Sequence, residues 1–349
     1  MNRLVCLGWA VIGLALLPGG CPGNADSESA LRLLDVNSGQ AVLQYYNAWN
    51  GWETLPSSIW LADLAEGTTR RVEPALVQYG LQAAGDFYIA ERPADDGARS
   101  RVVAGQFSTG DEWTVVTRDE ALGGRYFPAA ALDGERVVVR VPAGLLIYGL
   151  SSRTARQTVP LTEPAVELLA AKGSQALVSF SSSYTAYALV NLADGELTEL
   201  PDAAEGYTPR YANAFVSDSE LIAPAFVPEG ETTVRQAVLR LDLATSTWET
   251  LFDYGPGPSE TRVVGLFGVD DEGALVFVAE GPWDWTLELL ARDGGRAIVA
   301  RLVLSDWPAT AVLRDGRISW LSHSQRAVMT YEVGTAKTTV QTLEKLPGE

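Results

Sequence analysis

Apolar positions along the chain come in short runs separated by Gly, Asp, Asn and Ser. Residues 126–160, YFPAAALDGERVVVRVPAGLLIYGLSSRTARQTVP, show the pattern most fully. An apolar segment runs into Asp133-Gly134, a dipeptide suited to the positive backbone angles of a two-residue hairpin turn, and RVVVRV (136–141) follows. Pro142, Ala143 and Gly144 break the chain, LLIYGL (145–150) is a third run, and the polar residues 151–154 lead into an alternating fourth, 156–159. Four short strands joined by tight turns are predicted here.

The same grammar repeats from end to end. The turn after each first strand falls near Gly39, Gly85, Gly134, Gly173, Ser219, Gly273 and Gly316, at spacings of 39 to 54 residues. Third strands follow at the expected distance, as in IWLADL from Ile59, YALVNL from Tyr187 and VMTYEV from Val328, each ahead of a polar turn. Fourth strands such as ELTELP from Glu196 alternate Thr, Arg or Glu with apolar residues, which suits an outer edge half in water. Second strands such as RVVVRV and ALVFVA are apolar throughout, as expected of strands covered on both faces. No long helical periodicity interrupts the series. Sheets so repetitive must cover one another, and stacking them around a ring leaves no face open. The prediction is an all-β chain, a single seven-bladed β-propeller of four-stranded antiparallel blades over residues 31–346. The segment 23–29, GNADSES, is too polar and short to donate a strand to the last blade, so the ring is expected to close without strand exchange.

DGERVVV followed by LLIYGLSSRTARQT resembles the blade of TolB-type and WD-like β-propellers of bacterial envelopes, in which an Asp-Gly turn precedes the second strand. LDLATSTWETL (241–251) is similar instead to the end of a kelch repeat, with Asp and Trp at comparable spacing. The paired glycines of kelch second strands and the Trp-Asp pairs of WD repeats are absent. What the resemblance implies is the fold, which hosts binding scaffolds and several enzyme classes.

Residues 1–20 hold one charge, Arg3, ahead of the apolar run 4–17, the layout of a secretory signal peptide. The run ends in LPGGC, which resembles the lipobox of bacterial lipoproteins and implies a lipid anchor on Cys21, with residues 21–30 as a polar tether. Leu17 lies four positions before the cysteine where that family favours three; ordinary cleavage to a soluble periplasmic or secreted product is the alternative. Only Cys6 and Cys21 exist, so removal of the leader leaves no internal disulfide. It also takes 26 basic residues to 25 against 44 acids, a net charge of −19. Such a surface repels phosphates, so nucleic acid is not an expected partner. No cofactor is expected; calcium is a weaker alternative suggested by the acidity alone.

Nucleophile, metal and acid–base constellations that need His or Cys would rest on His323, in LSHSQR, which reads as a solvated loop residue. Asp95-Asp96 and Asp270-Asp271-Glu272 fall at turns, where Asp serves the backbone, and lack the alternating acids of a calcium loop. The aromatic residues are more informative. Loops joining second to third strands and the links between blades must share one face, and these carry Trp49, Trp52, Tyr126, Tyr184, Tyr211, Trp283 and Trp285, with Arg125 and Arg210 in links. Half of the rings are expected to plug gaps between blades, and these nine residues are the expected partner-binding set, with Trp49, Trp52, Trp283 and Trp285 as the leading anchors and Arg125 and Arg210 able to pair with acidic groups of the ligand. The leading expectation is a noncatalytic, envelope-associated monomeric ring that binds a protein or glycan through this face. A carboxylate-dependent glycosidase or lyase with an axial pocket, and a structural assembly subunit, are the alternatives.

Overall fold

The computed structural model describes residues 29–37, 39–47, 57–77, 79–93, 100–117, 130–162, 165, 167–180, 186–203, 206–230, 233–258, 262–280, 285–302 and 310–344. They form seven antiparallel sheets that succeed one another along the chain. The first comprises β1 (Ser29–Asn37), β2 (Gln40–Asn47), β3 (Ser57–Asp63) and β4 (Thr69–Val77); the second, β5 (Tyr79–Ala84), β6 (Phe87–Pro93), β7 (Ser100–Gln106) and β8 (Glu112–Thr117). The third holds β9 (Ala130–Asp133), β10 (Arg136–Val141), β11 (Gly144–Gly149) and β12 (Thr154–Pro160); the fourth, β13 (Glu167–Lys172), β14 (Gln175–Ser179), β15 (Tyr187–Asn191) and β16 (Leu197–Glu199). The fifth is built from β17 (Thr208–Pro209), β18 (Phe215–Val216), β19 (Glu220–Pro228), β20 (Thr233–Asp242) and β21 (Thr247–Pro258). The sixth has β22 (Arg262–Val269), β23 (Gly273–Glu280), β24 (Trp285–Ala291) and β25 (Arg296–Leu302), and the seventh β26 (Ala311–Arg314), β27 (Arg317–Ser322), β28 (Ala327–Glu332) and β29 (Lys337–Thr342).

First strands neighbour one another in sequence, β1 to β5, β9, β13, β18, β22 and β26, and β26 returns to β1. The seven sheets are therefore the blades of a closed β-propeller, with first strands innermost. Among the described residues β1 pairs with β2 and β29 with β28, so each terminal blade is made from its own segment and no strand crosses the seam. β1 begins at Ser29, two residues before the boundary expected at 31.

Seven hydrophobic clusters lie between consecutive blades, one at every seam. Second strands feed two clusters each, because successive side chains point to opposite faces. Val137 and Val139 of β10 pack toward the second blade, Val138 toward the fourth. Ala274, Val276 and Val278 of β23 face the fifth blade, and Leu275, Phe277 and Ala279 the seventh. That double burial is the physical cause of the uninterrupted apolar runs.

Two local features depart from the sequence pattern. In the third blade Asp133 is the last paired residue, opposite Arg136, so the hairpin turn is Gly134-Glu135, with φ 58° at Gly134. In the fifth blade the inner strand is split into β17 and β18 around a 3-10 turn, Tyr211–Asn213. Pro224 of β19 explains the break. Its carbonyl accepts the Arg210 N–H at 2.8 Å, so the side on which its own N–H is missing faces the inner strand, and the ladder loses a donor there.

Candidate functional site on the loop face

The two ends of the ring differ in chemistry. One end, the turn face, carries the first-to-second and third-to-fourth turns. Many of its Asp and Asn side chains hold turns and seams. Asp63, Asn191 and Asp242 accept N–H bonds from the turns that follow them, at 2.9 to 3.0 Å. Asp35 accepts the Gly85 N–H of the second blade at 2.8 Å, Asp133 the Gly173 N–H of the fourth at 3.1 Å, and Asp270 the Gly316 N–H of the seventh at 3.2 Å.

The remaining seams have their own polar bridges. Gln82 donates to the Ala130 carbonyl and accepts the Leu132 N–H across blades two and three. Asp218 takes the N–H and hydroxyl of Ser174 across four and five. Across blades five and six Gln236 accepts the Val264 N–H at 3.1 Å, and Arg292 meets Glu220. The closing seam has three bridges: Arg314 to Asp35 at 2.9 Å, the Leu33 N–H to Thr310 Oγ1 at 2.8 Å, and the Glu344 N–H to the Gly67 carbonyl at 2.8 Å. Asp35 is 1% exposed. It touches the seventh, first and second blades at once.

The opposite end, the loop face, carries the second-to-third loops and the links between blades. Of the residues singled out in the sequence, Cys21, Trp49, Trp52, Arg125, Tyr126, Tyr184 and Trp283 lie outside the described residues. Arg210, Tyr211 and Trp285 are described. Trp285 opens β24 and is 7% exposed, buried in the core between the sixth and seventh blades with its ring centroid 6.5 Å from that of Phe277. The sequence placed it among the likeliest partner anchors; here it packs as core, because its strand parity points it into the seam with Leu287 and Leu289. Tyr211 packs against the core between the fourth and fifth blades, 4.5 Å from Tyr187 and 6.5 Å from Trp248. Burial, with Tyr187 and Asp202 adding to it, pushes its hydroxyl up to about 12.

Trp248 anchors the segment 241–251. Its indole is buried at the same seam and donates to the Pro201 carbonyl at 2.9 Å, while Asp242 caps the turn before it. His323 is half-buried in the β27–β28 corner, not fully solvated, and its carbonyl accepts the Arg326 N–H. Among the described residues no three His, Cys, Asp or Glu side chains are grouped to hold a metal ion, and no helix is long and apolar enough to cross a membrane.

Arg210 has a different environment from the other buried cations. Arg92 binds Glu112 at 2.5 Å, and Arg296 reaches the buried Glu288 at 2.6 Å. Arg140, 5% exposed, donates to the Ala165 carbonyl at 2.9 Å; burial lowers its pKa and the carboxylates of Glu167 and Glu91 oppose that shift. The Arg210 guanidinium is half-buried with its carbon 4.9 Å from the centre of the Phe226 ring. Burial alone lowers its pKa, with no carboxylate opposing. It lies near the loop-face end of the inner strand, because β17 pairs with Ala225 and Phe226 toward the end of β19. Sequence reasoning placed Arg210 in a link but missed Phe226 and Asn213 beside it; Pro209 and Pro224 were the available signals of a broken ladder.

No protein-family model matches the sequence, and no curated protein matches it. Solved structures do. The β-propeller domain of the Trilobed protease from Pyrococcus furiosus, described as having an open velcro topology, superposes with a TM-score of 0.54 at 10% identity, over 92% of this chain and 100% of that one. A structure from a study of two prolyl endopeptidases gives 0.52 at 9% identity, over 92% of this chain and 50% of that one, so the present chain spans half its length. TolB from Acinetobacter baumannii gives 0.37 at 12% identity, over 64% and 56%. Identities this low establish the fold alone, a seven-bladed β-propeller.

Proposed function

We propose that the protein is a noncatalytic scaffold that holds a protein or glycan partner on the loop face of its ring. We further propose that it is exported and held in the bacterial envelope by a lipid on Cys21. The observation that carries the binding assignment is the contrast between the two ends. Asp35, Asp133 and Asp270 on the turn face are engaged at seams, whereas Arg210, near the loop-face end, is half-buried on an aromatic ring with no acidic partner among the described residues. By topology the loops and links that carry Trp49, Trp52, Arg125, Tyr126, Tyr184 and Trp283 belong to this same end of the ring. The pair Trp49 and Trp52, set among Asn and Gly, suits stacking on a sugar or filling a partner's pocket, and such anchors typically cost about 2 kcal/mol or more when truncated. The absence of catalysis is argued from composition: one His, and no Cys after Cys21.

Trp49→Ala and Trp283→Ala test the assignment. Loss of glycan-array or partner binding with an unchanged thermal unfolding midpoint is expected. A large fall in midpoint, with the surviving folded fraction binding as before, would overturn it.

A further inference from the structure

We propose that the outer edge of the seventh blade pairs with the same edge of a second copy of this chain, the two β29 strands running antiparallel about a two-fold axis. This contact lies on the rim, apart from the loop face, and replaces the monomer expected from the sequence. An outer strand exposes a row of backbone N–H and C=O groups, and proteins blunt such edges with bulges, short strands or charges. Among the described residues six fourth strands are blunted by a bulge or by shortness. β4, β8, β12, β21 and β25 each shift register against their third strands, and β16 has three residues. β29 has neither protection, because its six residues pair with β28 without a shift. Its one charge, Lys337, stands at the first position, and it holds no acid on a chain of net charge −18, so repulsion between copies is least along this edge. Val340 within it is 52% exposed, one of two large hydrophobic side chains left exposed among the described residues.

Hydrogen bonds at the end of the strand fix which groups point outward. The Leu343 N–H donates to the Arg326 carbonyl of its own hairpin, whereas the Glu344 N–H points away and donates to the Gly67 carbonyl of the first blade. Bonding directions alternate along an antiparallel strand, so Thr338, Val340 and Thr342 direct their backbone groups outward. Gly67 closes the edge at Thr342, where an added Cβ would lie 2.7 Å from the Thr342 carbonyl oxygen. The open stretch is Thr338 to Val340.

A second copy fits this short opening because the register is self-complementary. With Thr339 on the two-fold axis, Thr338 of each copy forms a hydrogen-bonded pair with Val340 of the other. Lys337 then faces Gln341, so no like charges are opposed. The Val340 side chain, in line with Met329 of β28, covers Thr338 of the second copy. On the other face a line of hydroxyls reaches the edge: Ser319 Oγ lies 3.0 Å from Thr330 Oγ1, and Thr339 Oγ1 donates to the Thr330 carbonyl at 3.3 Å. It continues across the axis as a Thr339 pair. One strand from each copy makes a small interface, roughly 1,200 Å² or less, so the dimer is reversible.

Sedimentation equilibrium of the full chain carrying Cys6→Ser and Cys21→Ser, over a wide concentration range, reads the association. A reversible monomer–dimer equilibrium is expected. Thr338→Pro removes an N–H that the blade does not use, and should abolish the dimer with little change in the unfolding midpoint. Val340→Lys loses both Val–Thr pairs and sets two like charges on diagonal positions, and should weaken association about tenfold or more. Under oxidation Thr339→Cys should form an intermolecular disulfide, and Ile298→Cys, exposed on β25, should not. A dimer that survives both Thr338→Pro and Val340→Lys, or equal cross-linking at position 298, overturns the pairing. A monomer at every concentration overturns it too: the edge then belongs to residues of the same chain if the Thr338 and Val340 N–H groups resist hydrogen exchange, and to a foreign strand if they exchange freely until another protein is bound.

Discussion

Arg314 Nη1 lies 2.9 Å from Asp35 Oδ2, across the seam where the last blade meets the first. The two residues are 279 positions apart in sequence, and their contact joins the ends of the propeller in place of an exchanged strand. Asp35 also holds the N–H groups of Val36 and Gly85, so one buried carboxylate ties together three blades.

Removing that carboxylate strands three donors. Asp35→Ala is expected to destabilise the ring by about 2–4 kcal/mol, chiefly by leaving the Val36 and Gly85 N–H groups without an acceptor, since Arg314 is partly exposed and can be hydrated. Asp35→Asn, which keeps an acceptor, should cost less. Urea unfolding checks both, and an alanine variant as stable as wild type would show that the seam is held by the Leu31, Leu33, Leu321 and Leu343 core alone.

The pH dependence of the two seam aspartates has opposite signs. Burial raises the Asp35 carboxyl above its ordinary value, despite Arg314 and the two N–H donors. The folded state then binds the proton more tightly, so the contribution of Asp35 is fully present below the ordinary carboxylate value and lost as pH rises through the folded one. The N–H and hydroxyl of Ser174 lower the Asp218 carboxyl, so its contribution is present above the ordinary value and lost as pH falls through the folded one. Unfolding measured from about pH 3 to 7 should show a flatter decline toward neutral pH in Asp35→Asn and a smaller acid loss in Asp218→Asn. Slopes identical to wild type in both variants would contradict these assignments.

Trp285 should behave as core. Trp285→Ala is expected to cost about 3–5 kcal/mol of stability and to leave partner binding by the folded fraction unchanged. Loss of binding at full stability would move this ring to the partner surface.

Much of this architecture was legible because strand chemistry is local. The continuous apolar runs of RVVVRV and ALVFVA follow from burial on both faces, and the seven turns mark the blades directly. The seam bridges were not legible, since they join residues a blade apart, such as Asp35 with Gly85, or the whole chain apart, as with Arg314. A backbone regularity was hidden too. Every third-to-fourth turn contains a residue with positive φ, but Gly67, Gly110, Gly195 and Gly294 are replaced by Arg153, Ser246 and Ala336 in the other three blades, so no glycine pattern reveals it. Trp285 was readable in part, because Trp285, Leu287 and Leu289 share one strand parity and one core.

Cys21 is tested separately. With lipidation at this residue, the protein should partition with membranes and take up labelled fatty acid, and Cys21→Ala should abolish both, because several acyl chains hold far more firmly than one. Equal labelling of wild type and variant would leave simple secretion.

The central claim is that the partner sits on the loop face, and blocking each face in turn tests it most directly. Gly230, between β19 and β20, and Gly334, between β28 and β29, are exposed, and an added Cβ at either meets nothing within 4 Å. In a Cys21→Ser background, Gly230→Cys and Gly334→Cys can each carry a bulky maleimide polymer on opposite ends of the ring. Glycan-array or partner binding should be lost when the polymer is on Gly230→Cys and kept when it is on Gly334→Cys. Binding lost only from the Gly334→Cys adduct would place the partner on the turn face and contradict the account.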